Sequence, residues 1–224
     1  MISVLVPSRE RPGPLARSVE SLGGGRDLEV LVRVDEDDPC LDDYLRVPGI
    51  ELIVGPHHGY GALQRYYNEL AERATRDWLF IWNDDCIMRT PGWIDVVRRY
   101  DGKLAVLNPD TNHDNWAIDM NVFPIFPRRM VELIGHLSLS AHNDSWIEFL
   151  GRGAGIMARV PIVIVHDRAD LTGNNDDATY AHREIAREEF HSPEMAALRE
   201  RDIRLILDYL ERNPEARPDV GAAT

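Results

Sequence analysis

Trp78-Leu79-Phe80-Ile81-Trp82-Asn83-Asp84-Asp85 is a row of five large apolar residues stopped by an amide and two carboxylates. An apolar run this short, closed by turn-forming side chains, predicts a strand buried on both faces. In an open parallel sheet the ligand crevice lies outside the carboxyl ends of the strands. The strand would therefore carry Asp84 and Asp85 to the place where such sheets bind nucleotides. Two carboxylates repel a diphosphate unless a divalent cation stands between them, and Mg²⁺ or Mn²⁺ suits carboxylate and phosphate oxygen.

Outward from that strand the first half of the chain alternates in period. Strands are predicted over Ile2–Val6, Leu28–Val34, Ile50–Val54 and Leu104–Leu107, and helices over Leu15–Leu22, Gly61–Thr75 and from Pro91 to about Tyr100. In the Gly61–Thr75 segment Leu63, Tyr66, Tyr67, Leu70, Ala71 and Ala74 recur at helical spacing. Such alternation implies an α/β domain, a Rossmann-type three-layer sandwich whose mostly parallel central sheet is covered on both faces. It also places Pro7–Arg11, Asp35–Asp38 and Asn83–Asp85 behind strand ends on one rim.

The second half is less regular. Trp116–Phe126, interrupted by Pro124, reads as an edge strand, with a short helix over Arg128–Gly135 after it. Asp144–Leu150 is predicted as a helix capped by Asn143 or Asp144. Gly151, Gly153 and Gly155 read as a flexible or tight loop, and Val160–Val165 as the last strand, ending at His166-Asp167. Asp170–Thr179 reads as a polar loop, Ala181–Phe190 and Pro193–Arg212 as C-terminal helices, and Pro214 onward as a frayed tail. One domain is expected over residues 1–213, with 1–110 as a nucleotide-binding half, 111–180 as a catalytic half, 181–213 as the C-terminal helices and 214–224 as a flexible tail.

The composition narrows the function classes. At 224 residues with 44% hydrophobic and 28% charged residues, the chain is ordinary for a soluble domain, and no stretch is apolar enough to span a membrane. The start, Met1-Ile2-Ser3-Val4-Leu5-Val6-Pro7, reads as a strand with no basic leader, so the cytoplasm is the expected compartment. Cys40 and Cys86 lack metal-type spacing and read as free thiols. The acids beside Cys86 raise a thiol pKa and argue against a nucleophile there. A formal net charge of -13 disfavours general nucleic-acid binding but leaves room for a local basic cleft. Nothing in the sequence specifies an oligomeric state.

These stretches resemble the family 2-type glycosyltransferases with the GT-A fold. "ISVLVPSRERP" (2–12) resembles that family's opening strand and Arg-bearing loop. "LEVLVRVDEDD" (28–38) resembles the second strand, with its base-recognising Asp at Asp35. "GYGALQRYYNELAERATRDWLFIWNDDC" (59–86) resembles the helix leading into an Asp-x-Asp metal motif, and "TPGW" (90–93) is similar to the segment downstream of that motif. The resemblance implies a transferase that moves a hexosyl group from a nucleoside diphosphate sugar, a UDP-sugar foremost, to a hydroxyl. It implies Mn²⁺ or Mg²⁺ as cofactor. Pro7, Ser8, Arg9, Arg11, Asp35, Arg65, Asn83 and Asp84 would contact the nucleotide, while Asp85 and His166 would hold the metal. Asp144, or Glu148 one helical turn on, would be the base. Asn83 departs from the motif: it can hydrogen-bond ribose or phosphate but carries no charge. Trp116, Trp146 and Asp170–Asp177 would line the acceptor side. The acceptor is left open, and because compact enzymes of this look in phages glycosylate modified DNA bases, DNA stays among the candidates. Two other readings stand beside this one. A sugar-nucleotide pyrophosphorylase is matched poorly by the loop Pro7-Ser8-Arg9-Glu10-Arg11, and a catalytically silent sugar-nucleotide-binding protein is favoured by Asn83.

Overall fold

The strand that carries the acidic tip is central and enclosed. In a computed structural model, which describes residues 1–173 and 189–219, β4 (Trp78–Ile81) is buried at every position. Its side chains alternate between two apolar layers: Trp78 and Phe80 pack to one side, Leu79 and Ile81 to the other. β1 (Ile2–Pro7) divides in the same way, with Ile2, Val4 and Val6 opposite Leu5.

Chain order now fixes the other elements. α1 (Pro12–Ser21) follows β1 and opens on a proline, which has no amide hydrogen to leave unsatisfied in a first turn. Then come β2 (Leu28–Asp35), α2 (Leu41–Tyr44), β3 (Glu51–Gly55), a 3₁₀ turn over Tyr60–Ala62 and α3 (Leu63–Arg73). After β4 come β5 (Cys86–Met88), α4 (Trp93–Arg98), β6 (Val106–Thr111), β7 (Ile125–Pro127) and α5 (Arg128–Ile134). The chain continues with α6 (Asn143–Gly153), β8 (Met157–His166), the single turn α7 (Ala169–Thr172) and α8 (Pro193–Arg212). α1 and α4 cover one face of the sheet through Leu15, Val19, Trp93 and Val97. The other face is covered by α3, α5, α6 and α8, through residues such as Leu70, Met130, Trp146 and Ile206.

The eight strands run in the order β3-β2-β1-β4-β7-β6-β8-β5. Four neighbouring pairs are parallel and three antiparallel: six strands run one way and β5 and β7 run against them, so the expected mostly parallel sheet is matched only in part and the sheet is mixed. The antiparallel pairings come from two short strands. The expected edge strand over Trp116–Phe126 is only β7, and it lies inside the sheet between β4 and β6. The residues before it form turns organised by the buried Asn115. Its side chain accepts from the amide (2.9 Å) and hydroxyl (2.8 Å) of Thr111 and donates to Asn108 Oδ1 (3.0 Å). The edges are β3 and β5, the latter directly after the acidic tip in sequence.

Other departures have equally local causes. α6 continues through Gly151 to Gly153, where a loop was expected. An added Cβ at Gly151 would meet Val106 at 2.9 Å, and one at Gly153 would meet Ile203 at 2.4 Å, so these glycines let the helix pack closely. The cap of α6 is His142, with no side-chain cap bond from Asn143 or Asp144. Residues 214–219 are docked: Ala216 is buried and its carbonyl accepts from Leu104 N at 2.7 Å. Of Ala181–Phe190 and Asp170–Thr179, residues 174–188 lie outside the described residues. Cys40 and Cys86 are both free thiols. Among the described residues no helix is long and apolar enough to cross a membrane.

Candidate active site

Parallel pairing of β2, β1 and β4 brings three loops to one rim: Ser8–Arg11 after β1, Asp35 at the end of β2, and Asn83–Asp85 after β4. They open into a cleft of about 880 Å³, lined also by His57, Tyr66, His113, Phe123, Asp144, His166 and Arg168. Of the sequence-derived candidates, Pro7, Ser8, Arg9, Arg11, Asp35, Asn83, Asp84, Asp85, Asp144 and His166 all line it.

At its centre Asp84 and Asp85 are buried, 6% and 4% exposed, which is costly for adjacent carboxylates without partners. Asp84 Oδ2 accepts from Ser8 Oγ at 2.6 Å, and its Oδ1 lies 3.3 Å from Arg11 Nη1. Asp85 Oδ2 accepts from Arg11 Nη2 at 3.0 Å, while its Oδ1 stands 3.0 Å from His166 Nε2. Burial pushes the Asp85 carboxyl up. The hydrogen bond and charge of His166, with Arg11 behind them, outweigh burial and hold it below the ordinary aspartate value.

His166 comes from the far half of the chain, and the sheet supplies the link. β8 pairs antiparallel with β5 so that His166 lies opposite Cys86. Asp167 N donates to Asp85 O at 2.8 Å. Asn112 grips the histidine backbone from both sides, accepting from His166 N at 2.8 Å and donating to its carbonyl at 3.0 Å. The second ring nitrogen, Nδ1, is 2.9 Å from His113 Nε2. With the ring proton on Nδ1, facing His113, the Nε2 lone pair would be free to ligate a metal in place of the hydrogen bond to Asp85.

These donors fit a hard divalent cation. The 3.0 Å between Asp85 Oδ1 and His166 Nε2 matches two neighbouring ligands on an octahedral ion with bonds of about 2.1 Å. Asn83 Nδ2 is 3.4 Å from the same histidine nitrogen. Half a turn of that amide would present Oδ1 instead, a neutral oxygen where an Asp-x-Asp motif has a carboxylate. Cys86 completes the cluster with Asp85 and His166 within 4.8 Å. Burial first, and then the Asp85 charge, raises its thiol pKa well above the ordinary value, so it stays protonated and is a poor nucleophile.

The other end of the rim is built around Asp35. Its Oδ1 accepts from Tyr66 Oη at 2.8 Å and its Oδ2 from Arg9 Nη1 at 3.0 Å. Arg33, 1% exposed, passes beneath. Its guanidinium donates to Glu69 (2.7 Å) and to the carbonyls of Val34 (2.5 Å) and Pro56 (2.8 Å) and lies 4.9 Å from the Tyr66 ring centre.

Some candidates fall elsewhere. Arg65 is exposed and does not line the cleft. Asn68, three residues on, clamps the loop before α6, accepting from Leu137 N (2.6 Å) and donating to Ser138 O (2.7 Å). Glu148 also lies outside the lining; it accepts from Arg152 Nε at 2.9 Å. Trp146 is wholly buried in the helical layer, and Trp116 sits against Arg159; neither lines the cleft. Arg33, Tyr66 and His113 are contributors that the sequence reading passes over. A lone arginine inside the apolar run LEVLVRVD marks the first, whereas nothing local to T-N-H-D-N marks the last.

A similar overall fold recurs in solved structures. A mannosyltransferase, PcManGT from Pyrobaculum calidifontis, in complex with GDP-Man and Mn²⁺, superposes with a TM-score of 0.59 at 14% identity, over 97% of this chain and 72% of that one. TarS 1–349 of S. aureus in complex with UDP-GlcNAc gives 0.58 at 12% identity, over 94% and 72%. The fold is that of the GT-A glycosyltransferases. With UDP bound, TarS 1–349 gives 0.53 at 12% identity, and there the chain spans 73% of its own length but only 57% of the other. No protein-family model matches the sequence, and neither does any curated protein.

Proposed function

We propose that the protein is a metal-dependent glycosyltransferase that moves a hexosyl group from a nucleoside diphosphate sugar to a hydroxyl. The observation that carries this reading is the joint placement of Asp85, His166 and Arg11 at the centre of a cleft whose far end is Asp35. The GDP-Man, UDP and UDP-GlcNAc bound in the similar structures support the donor class.

In this reading Asp35 receives the nucleoside base, with Pro7 and Arg9 as the adjoining wall. Ser8 and Arg11 hold the acidic tip and face the diphosphate, where a guanidinium fork suits phosphate oxygen. Asp85 and His166 would hold Mn²⁺ or Mg²⁺, which supplies neutralisation of the charge that develops on the leaving diphosphate. Asp144, in the first turn of α6, takes the proton of the acceptor hydroxyl as its oxygen bonds to the sugar and the sugar–diphosphate bond breaks.

The test is release of nucleoside diphosphate from a panel of UDP- and GDP-sugars, with Mn²⁺, Mg²⁺ or a chelator. At least one donor is expected to be turned over with the metal and not with the chelator, and Asp85→Asn is expected to abolish it. Pyrophosphate release from a nucleoside triphosphate and a sugar phosphate, with no turnover of any donor, would replace this reading by a pyrophosphorylase.

A further inference from the structure

Arg11 touches both members of the acidic pair at once: Nη1 faces Asp84 Oδ1 and Nη2 faces Asp85 Oδ2. Its side chain is itself mostly buried, 19% exposed. It is the residue before α1, held there by its own amide, which donates to Tyr44 Oη at 2.9 Å. The proline at the start of α1 fixes the turn that aims it. A buried guanidinium that forks across two carboxylates is a fixed positive charge in the place a cation would neutralise.

We infer that Arg11 is an internal counter-cation that makes the metal and the donor's diphosphate bind as a unit. This rests on the proposed donor and metal. The charge count gives the reason. With His166 neutral, as a metal-ligating imidazole must be, Asp84, Asp85 and Arg11 sum to -1. A divalent ion alone takes the group to +1, with the ion beside the guanidinium; a diphosphate arriving with it restores a negative sum. Arg11 therefore opposes the bare ion and favours the ion–diphosphate pair. Asp85 need not release Arg11 for this, because its Oδ1 faces His166 while its Oδ2 faces the guanidinium.

Calorimetric titration of the full chain with Mn²⁺ alone, and with Mn²⁺ in the presence of UDP or of GDP, tests the inference. Wild type is expected to bind Mn²⁺ weakly alone and much more tightly with one of the nucleotides. Arg11→Gln is expected to bind Mn²⁺ alone about tenfold more tightly, since a nearby like charge is gone, and to lose most of the enhancement by nucleotide. Arg11→Lys keeps the charge without the fork, so its affinity for Mn²⁺ alone should stay near wild type. Unchanged or weaker binding of Mn²⁺ alone by a folded Arg11→Gln protein, with wild-type coupling intact, would reduce Arg11 to a structural clamp and overturn the inference alone. If wild type bound no Mn²⁺ with either nucleotide, the proposed function and this inference would fall together.

Discussion

Asp144 and Glu148 lie one turn apart on α6 in opposite surroundings. Asp144 is half-buried and lines the cleft. Glu148 is 7% exposed and paired with Arg152, which also bonds Asp119. Burial, only partly offset by the Arg152 hydrogen bond, raises the Glu148 pKa above the ordinary glutamate value. A carboxyl raised by folding binds its proton more tightly in the folded state. Its contribution to stability is complete below the ordinary glutamate pKa and is lost as pH rises through the higher folded value. Glu148→Gln should thus flatten the decline in melting temperature across that window, read by thermal unfolding at a series of pH values, while turnover persists. Asp144→Asn should lower kcat by about 10²–10⁴-fold and leave that stability profile as it is. Loss of turnover in Glu148→Gln with retention in Asp144→Asn would exchange the two roles. At this scale the sequence reading reached the residues that follow strands, since a strand end can be recognised locally. It missed His113 because that side chain matters through His166, 53 positions away, and it overreached at Arg65, whose helix turns Tyr66 and Tyr67 inward.

Among the elements, those with a strong period were legible and those defined by a partner were not. β1, β2, β4 and α3 carry their burial pattern in their own residues. β7 and β5, three residues each, exist because neighbouring strands hold them. β8 is longer than its apolar core suggests because pairing with β6 extends it across Pro161. Register there jumps from Pro109↔Val160 to Asp110↔Val163, a bulge at the residue that has no amide hydrogen to give. The glycines of α6 misled for a related reason: their purpose is the approach of Val106 and Ile203, which are invisible from within the helix. Gly151→Ala should gain up to about 1 kcal/mol in helix propensity but cost about 1–3 kcal/mol in overpacking against Val106. A net loss of stability in urea unfolding is the expected outcome, and a gain would mean that α6 can shift off β6 freely.

For the molecule as a whole, the tension is between a net charge of -13 and a cleft proposed to receive a polyanion. Arg9, Arg11, Arg33 and Arg168 all line that one cleft, but so do Glu10, Asp35, Asp84, Asp85 and Asp144, so the arginines do not outnumber the acids there and a divalent cation would have to supply the remaining positive charge. Composition showed only the deficit of positive charge; the gathering of the arginines depends on strand order, which local patterns do not encode. The three-layer architecture and the rim of strand ends were legible because buried strands and amphipathic helices alternate. The mixed sheet was not, since strand direction is settled by crossovers. The most direct measurement on this account is anomalous diffraction from crystals soaked with MnCl₂ and UDP. A manganese peak bonded to Asp85 and His166 and to the diphosphate, and absent in Asp85→Asn crystals, is the predicted result. Clear UDP density in the cleft with no manganese at that pair would contradict it.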